Sequence, residues 1–131
     1  MGPPAAKQGD QILATDTHII MIPSPGGPVP TPLPHPFVGI LDGQLSSDVN
    51  IQNMPAATVD STATNTPVHI PQGGPFQSPP SNKGKIIMGS STVFINDKAA
   101  ARSGDTAETC NDPADLPVGT VVAVSTVFIG G

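Results

Sequence analysis

Four residues of this chain are of the types that bind soft metal ions: His18, His35, His69 and Cys110. Three imidazoles and one thiolate are the donor set of a closed, tetrahedral zinc site. Their separations of 17, 34 and 41 residues match no local zinc-finger spacing, so a site would need a fold that joins distant loops. The alternative is three separate histidines and a cysteine that packs as a small apolar residue.

The sequence offers little for catalysis. It contains no His-Glu-x-x-His, Gly-x-Ser-x-Gly or Walker motif. A catalytic zinc ion keeps one coordination position open, whereas three histidines and a cysteine would fill all four. A Ser-His-Asp arrangement stays open because serine and aspartate are plentiful, but no spacing places them together. We therefore expect no enzymatic activity, and a small metallohydrolase is the least favoured alternative.

A repeated hairpin is the main indication of how these residues are positioned. Within 89–105, residues 92–95 (TVFI) have the composition of a strand and 96–98 (NDK) that of a tight turn. A similar hairpin lies near 48–60, and a shortened third copy near 123–131. The candidate ligands follow similar breaks in the chain, so a pseudo-symmetric fold would bring their loops together.

The hairpins carry apolar residues on both faces. Val93 and Ile95 lie on one face and Phe94 on the other, and residues 127–129 repeat the pattern. A domain of this size cannot bury both faces, so one face is expected to contact another protein. We accordingly expect a charge at Ile129 to disrupt that contact.

Length and composition predict one domain, 1–131, with a thin core. The chain has 131 residues, 37% hydrophobic content, 17 prolines and 14 glycines. Its single cysteine excludes an intrachain disulfide, so a metal or a partner is the expected stabiliser. The seven prolines of 23–36 predict an extended, polyproline-like segment. Residues 37–41 then form a short strand.

Charge and targeting signals exclude other classes of protein. The net charge is −5, the five cationic residues are scattered, and Trp and Tyr are absent, so no nucleic-acid binding is expected. Residues 1–10 form a polar, proline-containing lead without an apolar h-region. No apolar span of about 18 residues follows. We expect synthesis in the cytoplasm without a signal peptide.

Residues 89–105 (GSSTVFINDKAAARSGD) resemble the signature of PAAR-repeat proteins. The two complete copies contain Pro55-Ala56-Ala57-Thr58 and Ala99-Ala100-Ala101-Arg102, and Pro32-Leu33-Pro34-His35 is similar to the first half of the family pattern. These proteins form the spike tip of contractile injection machines, either type VI secretion systems or phage-tail-like extracellular injection systems.

The resemblance implies an all-β, cone-shaped, pseudo-threefold domain of short strands and hairpins with long Pro/Gly-rich loops. Its wide base would sit on a trimeric β-helical spike, one tip per trimer. Its point would hold a structural zinc ion, with ligands carried over to His18, His35, His69 and Cys110.

The implied function is a zinc-stabilised, sharpened tip that aids membrane piercing through transient contact with the target membrane and can carry effector cargo. The chain would be assembled on the machine and delivered outside the cell or into a target cell. With no further domain after Gly131, we expect a tip without a fused toxin. The alternative function is a stand-alone zinc-binding cargo adaptor.

Overall fold

The computed structural model describes residues 2–131, which form ten β-strands. They are β1 (Gln11–Ile22), β2 (Val29–Gly43), β3 (Asn50–Ile51), β4 (Met54–Pro55), β5 (Thr62–Asn65), β6 (Lys83–Ile86), β7 (Phe94–Ile95), β8 (Lys98–Ala99), β9 (Thr106–Thr109) and β10 (Leu116–Val122). The described residues contain no helix, which confirms the all-β prediction. It follows that none of residues 2–131 belongs to a helix able to cross a membrane.

Six strands close a barrel in the order β1-β10-β9-β6-β5-β2, with every neighbouring pair antiparallel. Each strand contributes a fully buried apolar side chain to this core: Ile12, Leu41, Ala63, Ile86, Ala107 and Val121. Large and small side chains thus share a narrow interior, as the low apolar content of the sequence requires.

Phe37 separates this core from the histidines. It is 1% exposed, and its ring centroid lies 6.1 Å from that of His69. The ring packs on Gly39 and Gly84, where an added Cβ would come within 2.6 and 3.1 Å of ring atoms. Glycine is needed at Gly39 because a side chain would occupy the space of the aromatic ring, and at Gly84 a side chain would have to displace the ring slightly.

The three hairpins surround an approximate threefold axis. Three backbone hydrogen bonds form a closed ring: Ala6 N–H donates to Ala101, Ala57 N–H to Ala6, and Ala101 N–H to Ala57, with N···O distances of 3.0, 3.0 and 3.1 Å. All three alanines are 0% exposed. The ring makes the three repeats equivalent at the backbone level, and this confirms the predicted pseudo-symmetry.

The third hairpin is built from both ends of the chain. In each copy one alanine N–H donates to a valine carbonyl of the facing strand: Ala56 to Val49, Ala100 to Val93, and Ala5 to Val127. Pro4-Ala5-Ala6-Lys7 therefore takes the place of Pro55-Ala56-Ala57-Thr58. Interpreting residues 1–10 as a polar lead missed this, since the matching strand lies more than a hundred residues away. Met1 is outside the described residues.

An Ala57→Leu variant tests the packing around the closed ring of backbone hydrogen bonds. Ala57 is fully buried against the symmetry axis, so three added carbons must displace the neighbouring backbones and should lower the free energy of unfolding by about 1–3 kcal/mol. Urea denaturation measures the change, with Ala114→Leu in an exposed loop as the matched control. Equal midpoints for the two variants would contradict a packed axis.

β1 and β2 continue beyond the barrel as a two-stranded ladder, in a register that pairs Gln11–Ile22 with residues 29–40. This corrects the prediction of a polyproline-like segment followed by a short strand. Pro30, Pro32, Pro34 and Pro36 occupy alternate positions of β2, and all are exposed. Because proline has no N–H, the residues between the prolines make the backbone hydrogen bonds to β1. The backbone positions of the prolines point away from β1, toward the outer edge of β2.

Candidate metal centre

The ladder carries buried polar residues away from the hairpins. His18 lies seven residues beyond Gln11, roughly 23 Å along β1 at the usual strand rise. Asp16 and His18 alternate with exposed residues on the inner face of β1, and His35 pairs directly with Asp16 across the ladder. His69 and Cys110 come from the loops after β5 and β9.

Asp16, His18, His69 and Cys110 form one cluster in which the potential ligand atoms all lie within 4.8 Å of one another. The four residues are 0%, 1%, 7% and 3% exposed. His18 Nε2 lies 3.6 Å from Cys110 Sγ, and His69 Nε2 lies 2.7 Å from Asp16 Oδ2. Three of the four predicted ligands thus meet in a buried group that contains one residue the sequence analysis did not select.

His35 borders the cluster. It is 5% exposed, and its ring centroid is 5.5 Å from those of both His18 and His69. Its Nδ1 lies 3.0 Å from the carbonyl oxygen of Leu33. Donation of Nδ1–H to this carbonyl leaves the Nε2 lone pair free, which is how metal-binding histidines are commonly oriented. That His35 completes the ligand set stays a prediction.

Asp16 is the residue of the buried cluster that sequence reasoning missed. Its Oδ1 accepts hydrogen bonds from Thr109 Oγ1 and, at 3.5 Å, from Asn111 Nδ2. Its Oδ2 accepts from His69 Nε2 and, at 3.4 Å, from Cys110 Sγ. The available signal was its position two residues before His18, because alternate residues of a strand share one face.

Two asparagines fix the His69 ring. Asn65 Oδ1 accepts the N–H of Val38 at 2.9 Å, so its amide group faces His69 Nδ1 at 3.2 Å. Asn82 Oδ1 accepts both Asn65 Nδ2 and the His69 backbone N–H, at 3.0 and 2.8 Å. His69 Nδ1 is therefore an acceptor, and the ring proton lies on Nε2, where it is donated to Asp16.

Burial controls the protonation of the other two ligand candidates. It lowers the pKa of His18, an effect opposed by the carboxylate of Asp112 3.5 Å from Nδ1. His18 Nδ1 nonetheless has no hydrogen-bond partner among residues 2–131. Burial, helped by the charge of Asp16, raises the pKa of the Cys110 thiol to about 11. The cluster thus contains a neutral imidazole and a protonated thiol at pH 7.

Cys110 should consequently react slowly with iodoacetamide in chelator-treated, folded protein at pH 8. The thiol is 3% exposed and its pKa of about 11 leaves little thiolate, which is the reactive form. Mass spectrometry of the labelled fraction over time measures the rate, and the same protein in urea is the control. Equal rates in the two states would contradict the buried, protonated thiol.

This donor set fits a transition-metal ion. Imidazole nitrogens and a thiolate suit zinc and other borderline or soft metals. The 3.6 Å between His18 Nε2 and Cys110 Sγ is close to the separation of about 3.5 Å that two ligands of a tetrahedral zinc site have. Phe37 and Phe76 lie against the histidine rings, with centroid distances of 6.1 Å from His69 and 5.8 Å from His18. They limit the access of water.

The hairpin end of the molecule has a different surface. Ile51, Ile95 and Ile129 are buried together with three alanines of the repeats. Phe94 and Phe128 are 60% and 46% exposed at equivalent positions of two copies. The hairpins bury Ile129 among themselves, so this side chain does not lie on the exposed face. The expected effect of a charge at Ile129 on a partner contact stays a prediction. The exposed aromatic residues are the candidates for such a contact.

A comparison with protein-family models gives a match to the PAAR motif over residues 21–108 and again over 76–131. Together the two matches cover most of the chain, including β2–β10 and both hairpins after residue 45. No curated protein matches the chain.

Proposed function

Because the chain belongs to the PAAR-motif family, we propose that it forms the metal-stabilised tip of the spike of a contractile injection machine, capping a trimeric β-helical spike protein. The observation that carries this proposal is the closed ring of hydrogen bonds through Ala6, Ala57 and Ala101. A single chain with three equivalent hairpins can make the same contact with each subunit of a trimer. An asymmetric domain could make that contact with only one or two of the three subunits.

The exposed aromatic side chains support the hairpin end as the surface that contacts the spike. Phe94 and Phe128 are accompanied by half-exposed Val93 and Val127, so the hairpin end presents apolar side chains around the axis. Large exposed apolar groups that cluster in this way favour protein contacts. The blunt end of a β-helical trimer exposes strand edges that need to be covered.

At the other end, His18, His35, His69 and Cys110 would hold a structural zinc ion, a donor set that fits the buried cluster. A bound zinc ion would supply a rigid cross-link between the ladder and two loops. The residues themselves position its ligands: Leu33 orients His35, and Asn82 holds the backbone of His69. His69 Nε2 would bind the ion only after it releases the proton that it donates to Asp16. Stiffness at this end matters because the apolar core lies in the barrel, below Phe37.

The mechanism is mechanical, and no step requires turnover. Contraction of the machine drives the tip against a target membrane, and a narrow, rigid end concentrates the force on a small area. We propose that the chain is assembled on the machine in the producing cell and leaves the cell with it, and that it can carry effector cargo.

The deciding experiment is co-purification with a trimeric β-helical spike protein from the same organism. Native mass spectrometry should show one copy of the chain per three spike subunits. A chain that retains its metal but binds no spike would instead favour the stand-alone cargo adaptor.

A further inference from the structure

One of the three borders between neighbouring hairpins lacks the cationic side chain that the other two contain. The hairpins meet in antiparallel bridges at corresponding positions: Lys7 with Ala56, Thr58 with Ala100, and Arg102 with Ala5. Lys7, Thr58 and Arg102 therefore occupy equivalent places around the threefold axis. Thr58 is the only one of the three side chains without a charge.

In the other two borders a carboxylate three residues later holds the cation. Arg102 donates to Asp105 from its backbone N–H at 2.7 Å and from its guanidinium at 2.9 Å. Lys7 donates to Asp10 from its backbone N–H and its ammonium group, at 3.0 and 3.2 Å. The guanidinium of Arg102 also donates to the carbonyl oxygen of Gly130 in the third hairpin, at 3.1 Å. The cation thus joins one hairpin to the next.

Thr58 and Ser61 replace this pair in the first hairpin. The backbone N–H of Thr58 donates to Ser61 Oγ at 3.0 Å, so the turn keeps its shape with a neutral acceptor. Thr58 Oγ1 donates to the adjacent carbonyl of Val59 at 3.0 Å. The one ion pair across this border joins Asp60 and Lys98 at 3.5 Å, with side chains 52% and 47% exposed. A pair this exposed adds little to the border.

A cavity of about 280 Å³ lies beside Thr58. Its lining is polar and includes Gln44, Ser46, Ser47, Thr58, Asn96 and Lys98. Asn96 follows Ile95 in the second hairpin as Gly130 follows Ile129 in the third. The cavity therefore lies where the neighbouring border contains the guanidinium of Arg102.

The charges around the cavity favour a cation. Asp48 Oδ2 accepts a hydrogen bond from Asn96 Nδ2 at 2.6 Å, and Asp60 is the partner of Lys98. Two carboxylates and one ammonium group leave one negative charge in excess, and no lysine or arginine occurs from residue 8 to residue 82. A guanidinium donates from five N–H groups, which suits hydroxyl, amide and carboxylate oxygens.

We infer that this cavity binds the guanidinium group of an arginine side chain from a second protein, one copy per chain. Threefold symmetry argues against the spike as the source. A trimer would present three identical arginines, and two of them would meet the cations Lys7 and Arg102 and be repelled. The inference goes beyond the proposed spike contact and does not depend on it.

The test titrates N-acetyl-L-arginine amide into the ¹⁵N-labelled chain. The backbone N–H signals of Thr58, Ser61 and Asn96 should shift and saturate, with a Kd of about 1–10 mM for this single side chain. N-acetyl-L-citrulline amide, which has nearly the same shape without the charge, is the matched ligand. It should bind about fivefold more weakly or worse, because neutral donors form weaker hydrogen bonds.

A blocking variant gives the cavity its own cation. Thr58→Arg combined with Ser61→Asp reproduces the pair of Arg102 and Asp105, so this variant should fold and lose the saturating shifts. Thr120→Arg adds the same side chain at an exposed position of β10 and should keep the wild-type Kd. Thr58→Lys is the second blocking variant if the double substitution does not fold.

Each outcome decides the inference. Shifts that do not saturate in the wild-type chain, or that are equal for the two ligands, would overturn it, as would unchanged shifts in the blocking variant. If neither blocking variant folds, the border cannot hold a cation and the inference is wrong. The blocking variant should bind the spike as the wild-type chain does. Loss of that binding would assign the arginine to the spike and overturn the one-per-chain ligand, whereas a wild-type chain that binds no spike contradicts the proposed function alone.

Discussion

A Phe94→Asp variant should fold, keep its metal and lose its binding to the trimeric spike. Phe94 is 60% exposed, so a carboxylate there meets water in the free chain and costs little stability. In the complex the same carboxylate would be buried against an apolar surface without a partner charge. Losing an aromatic anchor of this kind typically costs about 2 kcal/mol or more, which is at least about 30-fold in affinity.

The affinity can be measured as binding to a surface-immobilised spike trimer. Zinc content and far-UV circular dichroism check that the variant is folded. Val29→Asp is the matched control, because Val29 is 48% exposed at the far end of the ladder. Ile95→Asp should fail differently, by unfolding, since Ile95 is 8% exposed. Unchanged binding of Phe94→Asp would mean that the hairpin end does not contact the spike.

Loss of the metal should produce the second large effect. Replacing Cys110 with Ser puts a hard hydroxyl where a soft thiolate would bind, so metal content should fall from about one ion per chain to well below that. A ligand present at about 1,000 times its Kd stabilises a fold by about 4 kcal/mol. The unfolding temperature should then drop on the order of 10 °C.

Elemental analysis and thermal unfolding, with and without a chelator, test this expectation. The chelator should lower the unfolding temperature of the wild-type chain and leave that of Cys110→Ser nearly unchanged. Equal metal content in both proteins would show that Cys110 is not a ligand. A chelator without effect on the wild-type chain would show that the ion does not stabilise the fold.

The hairpins could be predicted from sequence because each is a local unit. A β-branched run, an Asn-Asp turn and a return strand lie within a few residues in 89–105, and the copy near 48–60 repeats the pattern. The third hairpin could not be completed in the same way. Its return strand, Pro4–Lys7, precedes the rest of the chain, so only the closure of the barrel brings it to Val127.

The candidate ligands could be chosen by residue type, since histidine and cysteine are rare in this chain. Asp16 could not, because aspartate is common and usually exposed. Its burial follows from the register that places His35 opposite it. That register could not be predicted from the sequence, because four prolines between residues 30 and 36 argue against a long strand. A strand is possible here only because every one of these prolines faces outward.

The same prolines have a consequence for how these molecules behave when crowded together. The outer edge of β2 offers carbonyl groups but no N–H at residues 30, 32, 34 and 36, so an incoming strand could donate hydrogen bonds there and receive none. The opposite edge of the ladder is already covered, since Pro75 and Asn111 bond to β1. Neither edge can template the growth of a sheet from one copy to the next. The exposed ladder is thereby protected against amyloid-like aggregation, even at high local concentration.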